Sequence, residues 1–155
     1  KDITTRALFV GCGNMARSHV KRILPEFKNT EISFVCDPSR ESFLEMSKVF
    51  EENGRPIPHN EPDLNKILSE FKDRLDVAFV VTPHAMHFQQ VKDCMEAGLD
   101  VIVEKPMVMN AKEAKDLIAT RDSTGRLLVV AFQGSLSPEV RTAVEMLNSG
   151  QWFRK

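Results

Sequence analysis

Short apolar runs alternate along the chain with amphipathic stretches. The runs Ala7–Val10, Ile32–Cys36, Val77–Val81, Val101–Val103 and Leu127–Phe132 are almost continuously apolar over about the length of a strand. Such runs predict strands covered on both faces of a parallel sheet, where neither side can be polar. Between them the apolar spacing changes to three and four residues. Residues 14–24 place Met15, Val20, Ile23 and Leu24 on one side of a helix, which Pro25 is expected to stop. Ser39–Glu52 carries Phe43, Leu44, Met46, Val49 and Phe50 on a stripe, and Leu64, Ile67, Leu68 and Phe71 form the next. The helix His84–Ala97 ends at Gly98, which tolerates the left-handed conformation that closes a helix. Asn110 with Glu113 three residues on reads as a cap for a helix closed by Gly125, and Pro138 opens a last helix over 138–148.

The segment Arg55–His59 (RPIPH) contains two prolines that lack a ladder donor, so it is expected only as a short edge strand. Counting it gives six strands with the third outermost, which fits the order 3-2-1-4-5-6 of a dinucleotide-binding sheet. The predicted fold is therefore α/β: a doubly wound, mostly parallel, six-stranded sheet of Rossmann type with helices on both faces. Composition agrees. A length of 155 residues suits one domain, and 42% apolar with 28% charged residues is ordinary globular usage. Lys plus Arg (21) against Asp plus Glu (22) leaves a net charge of -1, so neither nucleic acid nor an anionic membrane is an expected partner. The run at 127–132 is far too short to span a bilayer. Three widely spaced cysteines, Cys12, Cys36 and Cys94, suggest neither a disulfide frame nor a zinc site. A soluble, cytoplasmic domain is expected.

Chemistry gathers at the carboxyl ends of the strands. The first strand runs into GCGNMA, where Gly11 permits a tight turn, Gly13 close approach of a pyrophosphate, and Ala16 close helix–sheet packing. The helix start that follows offers free amides and a positive dipole end. Asp37 ends the second strand, 21 residues after Ala16, close to where an acid meets the adenosine ribose of NAD. A carboxylate there repels a 2′-phosphate and favours NAD; Ser39 and Arg40 follow, however, and an arginine there can accommodate the 2′-phosphate of NADP, so NAD is the expected cofactor with NADP kept open. The fourth strand ends in TPHAMH, with Thr82 and Pro83 setting a turn and His84 and His87 three apart. A metal shared by the two histidines lacks a carboxylate or cysteine companion, so no metal site is expected. The fifth strand ends in Glu104-Lys105-Pro106, and Lys105 is the leading candidate for acid–base chemistry, given desolvation or a neighbouring cation.

Together GCGNMARSH, Asp37, TPHAMH and EKP resemble the glucose–fructose oxidoreductase/inositol dehydrogenase (Gfo/Idh/MocA) family, over Ala7 to about Gly150. The resemblance implies that Gly11, Gly13, Asn14 and Met15 hold the pyrophosphate of NAD or NADP and that Asp37 holds the ribose. It implies Lys105 at the reacting hydroxyl or carbonyl, aimed by a cis Pro106, and Glu104 near the nicotinamide ribose. Thr82, Pro83 and His87 would line the cofactor cleft, and Gln133 would approach nicotinamide or substrate. Gly134 or Ser135 stands where family members often carry arginine. The family's second domain, which supplies most of the substrate pocket and the homo-oligomer interface, would begin at about residue 151. Residues 1–150 would then be the cofactor domain of an oxidoreductase of sugars, inositols or related polyols. Two other readings compete: a non-catalytic nucleotide-binding regulatory module, and an S-adenosylmethionine-dependent methyltransferase-like domain. His19 is expected to pack or to face solvent, His59 to face solvent, and Cys12 to be a small buried thiol. Trp152 and Phe153 suggest no partner.

Overall fold

A computed structural model describes residues 3–150 of the chain. Six strands form one sheet, all pairs parallel, in the order β3-β2-β1-β4-β5-β6. They are β1 (Thr5–Val10), β2 (Thr30–Cys36), β3 (His59–Asn60), β4 (Val77–Val80), β5 (Asp100–Glu104) and β6 (Leu128–Ala131). The helices are α1 (Asn14–Glu26), α2 (Arg40–Glu52), α3 (Leu64–Phe71), α4 (His84–Glu96), α5 (Ala111–Thr124) and α6 (Pro138–Asn148). The doubly wound order read from the sequence is the order found.

Each face of the sheet owns its own core. On one, Ala7, Phe9, Ile32 and Val35 pack against Ala16, Val20 and Leu24 of α1 and Met46, Val49 and Phe50 of α2. On the other, Leu8, Val10, Phe34, Val80 and Val103 meet Ile67 of α3, Val91, Cys94 and Met95 of α4, and Leu117 of α5. Alternate residues of one strand thus serve opposite cores, which is why β1 ends in four apolar residues that are all fully buried. Burying each of Leu8, Phe9 and Val10 contributes about 1.5–3 kcal/mol by removing it from water. Cover is uneven at the β6 edge. Val129 is half exposed, and α6 buries none of its residues, leaving Val140, Val144 and Leu147 in solvent.

Several boundaries differ from expectation for simple reasons. Helix α1 does not stop at Pro25 but runs to Glu26; a proline in the last turn removes a single helical bond, and the Phe27 amide still donates to the Ile23 carbonyl at 2.9 Å. The edge strand is His59–Asn60 rather than 55–59, because pairing to Phe34 and Val35 begins only beyond the second proline. β6 is shorter than 127–132 by one residue at each end. Glu113 does not reach back to its cap residue: its carboxylate accepts from the Met109 amide at 3.0 Å, while the Asn110 side chain accepts from the Glu113 amide at 2.9 Å. Trp152 and Phe153 lie outside the described residues.

Candidate cofactor-binding cleft

At the carboxyl edge, between the ends of β1, β2 and β4, lies a cleft of about 930 Å³. It sits where the strand order reverses, since β1 pairs with β2 on one side and β4 on the other. Gly11, Gly13, Asn14, Met15, Asp37, Thr82 and Pro83 all line it. Gly11 is tied down. Its φ of +99° is in the left-handed region, its amide donates to the Cys36 carbonyl at 2.9 Å, and a Cβ there would lie 2.5 Å from the Val81 carbonyl oxygen. Gly13 is the opposite case, with no atom within 4 Å of where a Cβ would stand. The main chain is therefore open to a ligand at Gly13 and closed against β4 at Gly11.

Helix starts divide in the same way. Ser39, Asp63, Asn110 and Ser137 cap α2, α3, α5 and α6 with their side chains. Gly13 and Pro83, which open α1 and α4 on the cleft wall, supply no side-chain cap. First-turn amides of α1 are left for another acceptor, and the positive dipole end suits an anion. This donor set fits a pyrophosphate. Arg17 steadies the loop from behind, donating to the Cys12 carbonyl at 2.7 Å and to the Asn14 side-chain oxygen.

Asp37 is half-buried and already engaged. One carboxylate oxygen accepts from the Cys12 amide and the other from the Ser39 amide, both at 2.7 Å. From β3, the Asn60 side chain accepts from the Asp37 amide and donates to its carbonyl, both at 3.1 Å. The carboxylate is thereby fixed at the cleft wall with lone pairs to spare. Ser39 and Arg40 are exposed and stand off the wall. No lysine or arginine is among the wall residues, whereas Asp37, Glu61, Asp63 and Asp93 are. Cys12 and Cys36 are fully or nearly fully buried, and burial, with Asp37 adding to it, pushes both thiols up to about 12. Cys12 is thus held as an unreactive thiol.

One strand further on, Glu104 is buried, and the Lys105–Pro106 peptide is cis. The Glu104 carboxylate is 2.6 Å from His19 Nε2 and accepts from the Lys105 amide at 3.2 Å. Lys105 itself is exposed, so the desolvation anticipated for it is not supplied by the described residues. His87 was expected on the cleft wall; it is instead wholly buried beneath it, its ring nitrogens 2.9 Å from the Thr82 and Pro106 carbonyl oxygens. Its position, three residues into α4, turns it inward with Val91 rather than outward with exposed His84. Gln133 opens a 3-10 turn, and its side chain lies outside those described. Among the described residues no group of three or more His, Cys, Asp or Glu converges as a metal site would require.

Sequence reasoning missed four contributors: His19, Arg17, Asn60 and Gln90, whose side chain lies 2.5 Å from the Thr82 hydroxyl on the cleft wall. For His19 a signal existed, since it follows buried Ala16 by three residues and so shares the sheet-facing side of α1. Arg17 acts locally, on Cys12 and its i,i+3 neighbour Asn14, while Asn60 and Gln90 act through contacts that no local pattern announces.

Residues 5–132 match the family described as "Oxidoreductase family, NAD-binding Rossmann fold", GFO_IDH_MocA. The chain belongs to this family. Among its relatives, the inositol 2-dehydrogenase/D-chiro-inositol 3-dehydrogenase of Lactiplantibacillus plantarum is 24% identical over 149 residues, which are 94% of this chain and 40% of that protein. The alpha-N-acetylgalactosaminidase of Bacteroides fragilis is 26% identical over 147 residues, 94% of this chain and 34% of that protein. Among solved structures, the WlbA dehydrogenase from Bordetella pertussis in complex with NADH and UDP-GlcNAcA superposes with a TM-score of 0.85 at 23% identity, covering 99% of this chain and 44% of that one. The scyllo-inositol dehydrogenase from Lactobacillus casei, with bound NAD(H) and scyllo-inositol, gives 0.80 at 19% identity, over 96% and 42% of the two chains. The chain thus spans between about a third and just under half of the length of these proteins. No helix among the described residues is long and apolar enough to cross a membrane.

Proposed function

We propose that the chain is the cofactor-binding part of an NAD(P)-dependent oxidoreductase acting on a CH–OH group of a sugar, inositol or related polyol. The observation that carries this reading is the pair of uncapped helix starts, at Gly13 and Pro83, opening on one cleft whose far wall is Asp37. Bound there, a nicotinamide cofactor supplies hydride acceptance or donation. The Gly13–Met15 main chain binds the pyrophosphate, and Asp37 accepts from the adenosine ribose. A wall with four acids and no base favours NAD over NADP, and exposed Arg40 is not among the wall residues. Lys105 takes the hydroxyl proton during oxidation and returns it during reduction, and Glu104 holds the turn that carries it. A domain following residue 150 would complete the substrate pocket and a homo-oligomer interface, in a cytoplasmic enzyme.

In the full-length protein, nicotinamide reduction with a panel of inositols and aldoses tests the reading. Lys105→Ala is expected to lower turnover by about 100-fold or more with NADH affinity changed less than about twofold. Equal losses in both would contradict the proton role. The similarity to an alpha-N-acetylgalactosaminidase favours a second reading, in which a glycosidic bond is cleaved. Release of free sugar without accumulation of NADH would select it.

A further inference from the structure

His87 is the only fully buried side chain among the four buried polar or charged residues of the described core. It stands in the first turn of α4, with Nε2 2.9 Å from the Thr82 carbonyl oxygen and Nδ1 2.9 Å from the Pro106 carbonyl oxygen. Thr82 belongs to the cleft wall, and Pro106 directly follows Lys105. The β4–β5 ladder ends at the Val80–Val103 pair, and among the described residues no other hydrogen bond joins the two turns beyond it. A main-chain carbonyl can only accept. The ring must therefore donate from at least one nitrogen, and its other nitrogen lies against the second carbonyl, so the imidazole spans the gap between the two turns.

We propose that His87 is a positioning residue whose ring, held between two main-chain carbonyls, bridges the cleft wall at Thr82 to the turn that presents Lys105. The clamp makes cofactor and lysine share one frame, although they sit on different strands. Residue size alone does not explain this placement, because a leucine would fill similar space without addressing either carbonyl. The proposal rests on the function proposed above only for the purpose of Lys105; the bridge itself is independent of any cofactor.

The test uses the ligand-free chain. With 15N-labelled histidine, the wild-type His87 ring should show a slowly exchanging N–H signal, as a ring nitrogen held on a buried carbonyl does. Amide exchange over residues 104–108 should be about tenfold faster in His87→Leu, intermediate in His87→Gln, which keeps one donor, and unchanged in β1 and β2. A wild-type ring with no slowly exchanging N–H overturns the proposal, as does wild-type exchange over 104–108 in His87→Leu. Should His87→Leu fail to fold, the wild-type ring signals decide alone. No cofactor enters these measurements, so their failure leaves the cofactor reading standing, and failure of NADH to bind leaves the bridge standing.

Discussion

Two halves of one sheet edge are tied together by opposite chemistry. At the ends of β1 and β2, the Asp37 carboxylate accepts from two main-chain amides, Cys12 and Ser39, at 2.7 Å each. At the ends of β4 and β5, the His87 imidazole faces two main-chain carbonyls, Thr82 and Pro106, at 2.9 Å each. The difference follows from what each pair of turns has left over. A glycine loop and a helix start expose surplus N–H groups, which call for an acceptor. Turns containing Pro83 and Pro106 are short of N–H groups, so their carbonyls call for a donor. One side chain of the right sign then joins the two turns that lie beyond the last ladder pair.

The strongest way to break the first half is Gly11→Ala. Its Cβ would meet the Val81 carbonyl at 2.5 Å from a left-handed backbone, so the β1 and β4 turns must part. A loss of about 3 kcal/mol or more is expected, read from urea unfolding; a wild-type midpoint would show that the turn is looser than described. Gly13→Ala sharpens the contrast, because space there is open. Stability should change by less than about 1 kcal/mol, while NADH affinity falls about tenfold or more as the methyl enters the pyrophosphate's space. Unchanged affinity would mean that the cofactor does not approach Gly13.

A smaller effect on stability is expected from Asp37→Asn. The amide keeps one acceptor for the two amides now served, which costs about 1–2 kcal/mol. Its diagnostic value lies in cofactor choice, since the preference for NADH over NADPH should shrink or reverse. An unchanged ratio would move the ribose contact elsewhere. The smallest effect belongs to Asp76 at the far, amino-terminal edge, where hydrogen bonds from Arg6 hold its carboxyl below the usual range. A lowered folded-state value means that this contribution is present above about pH 4, the unfolded value, and fades as pH falls through the folded one. Asp76→Asn should therefore reduce stability slightly at pH 7, by an amount that shrinks as pH falls below about 4, with cofactor binding unaffected at neutral pH. A change in NADH affinity would join the two edges and break the comparison.

What the sequence made legible was local. The glycine loop, Asp37 at its distance, the strand order and the EKP turn all sit in short patterns whose geometry is set by neighbours in the chain. Links between distant segments were not legible: His19 reaches Glu104 across 85 residues, and Asn60 reaches Asp37 across 23. Burial was misread where the pattern is identical but the cover differs. The apolar run of β6 resembles that of β1, yet β1 is covered by helices on both faces, while Val129 is half exposed and α6 buries none of its residues. For His87 the residue type was noticed and its direction was not, because three residues into a helix the same spacing serves a cleft wall or a core.

Direct titration of the chain with NADH, NADPH and S-adenosylmethionine, followed by nicotinamide fluorescence and calorimetric heat, tests the central claim that this cleft is a nicotinamide dinucleotide site. Saturable NADH binding, tighter than NADPH and weakened by Gly13→Ala, is the expected result. No nicotinamide binding at millimolar concentration, or saturable S-adenosylmethionine binding in its place, would contradict it.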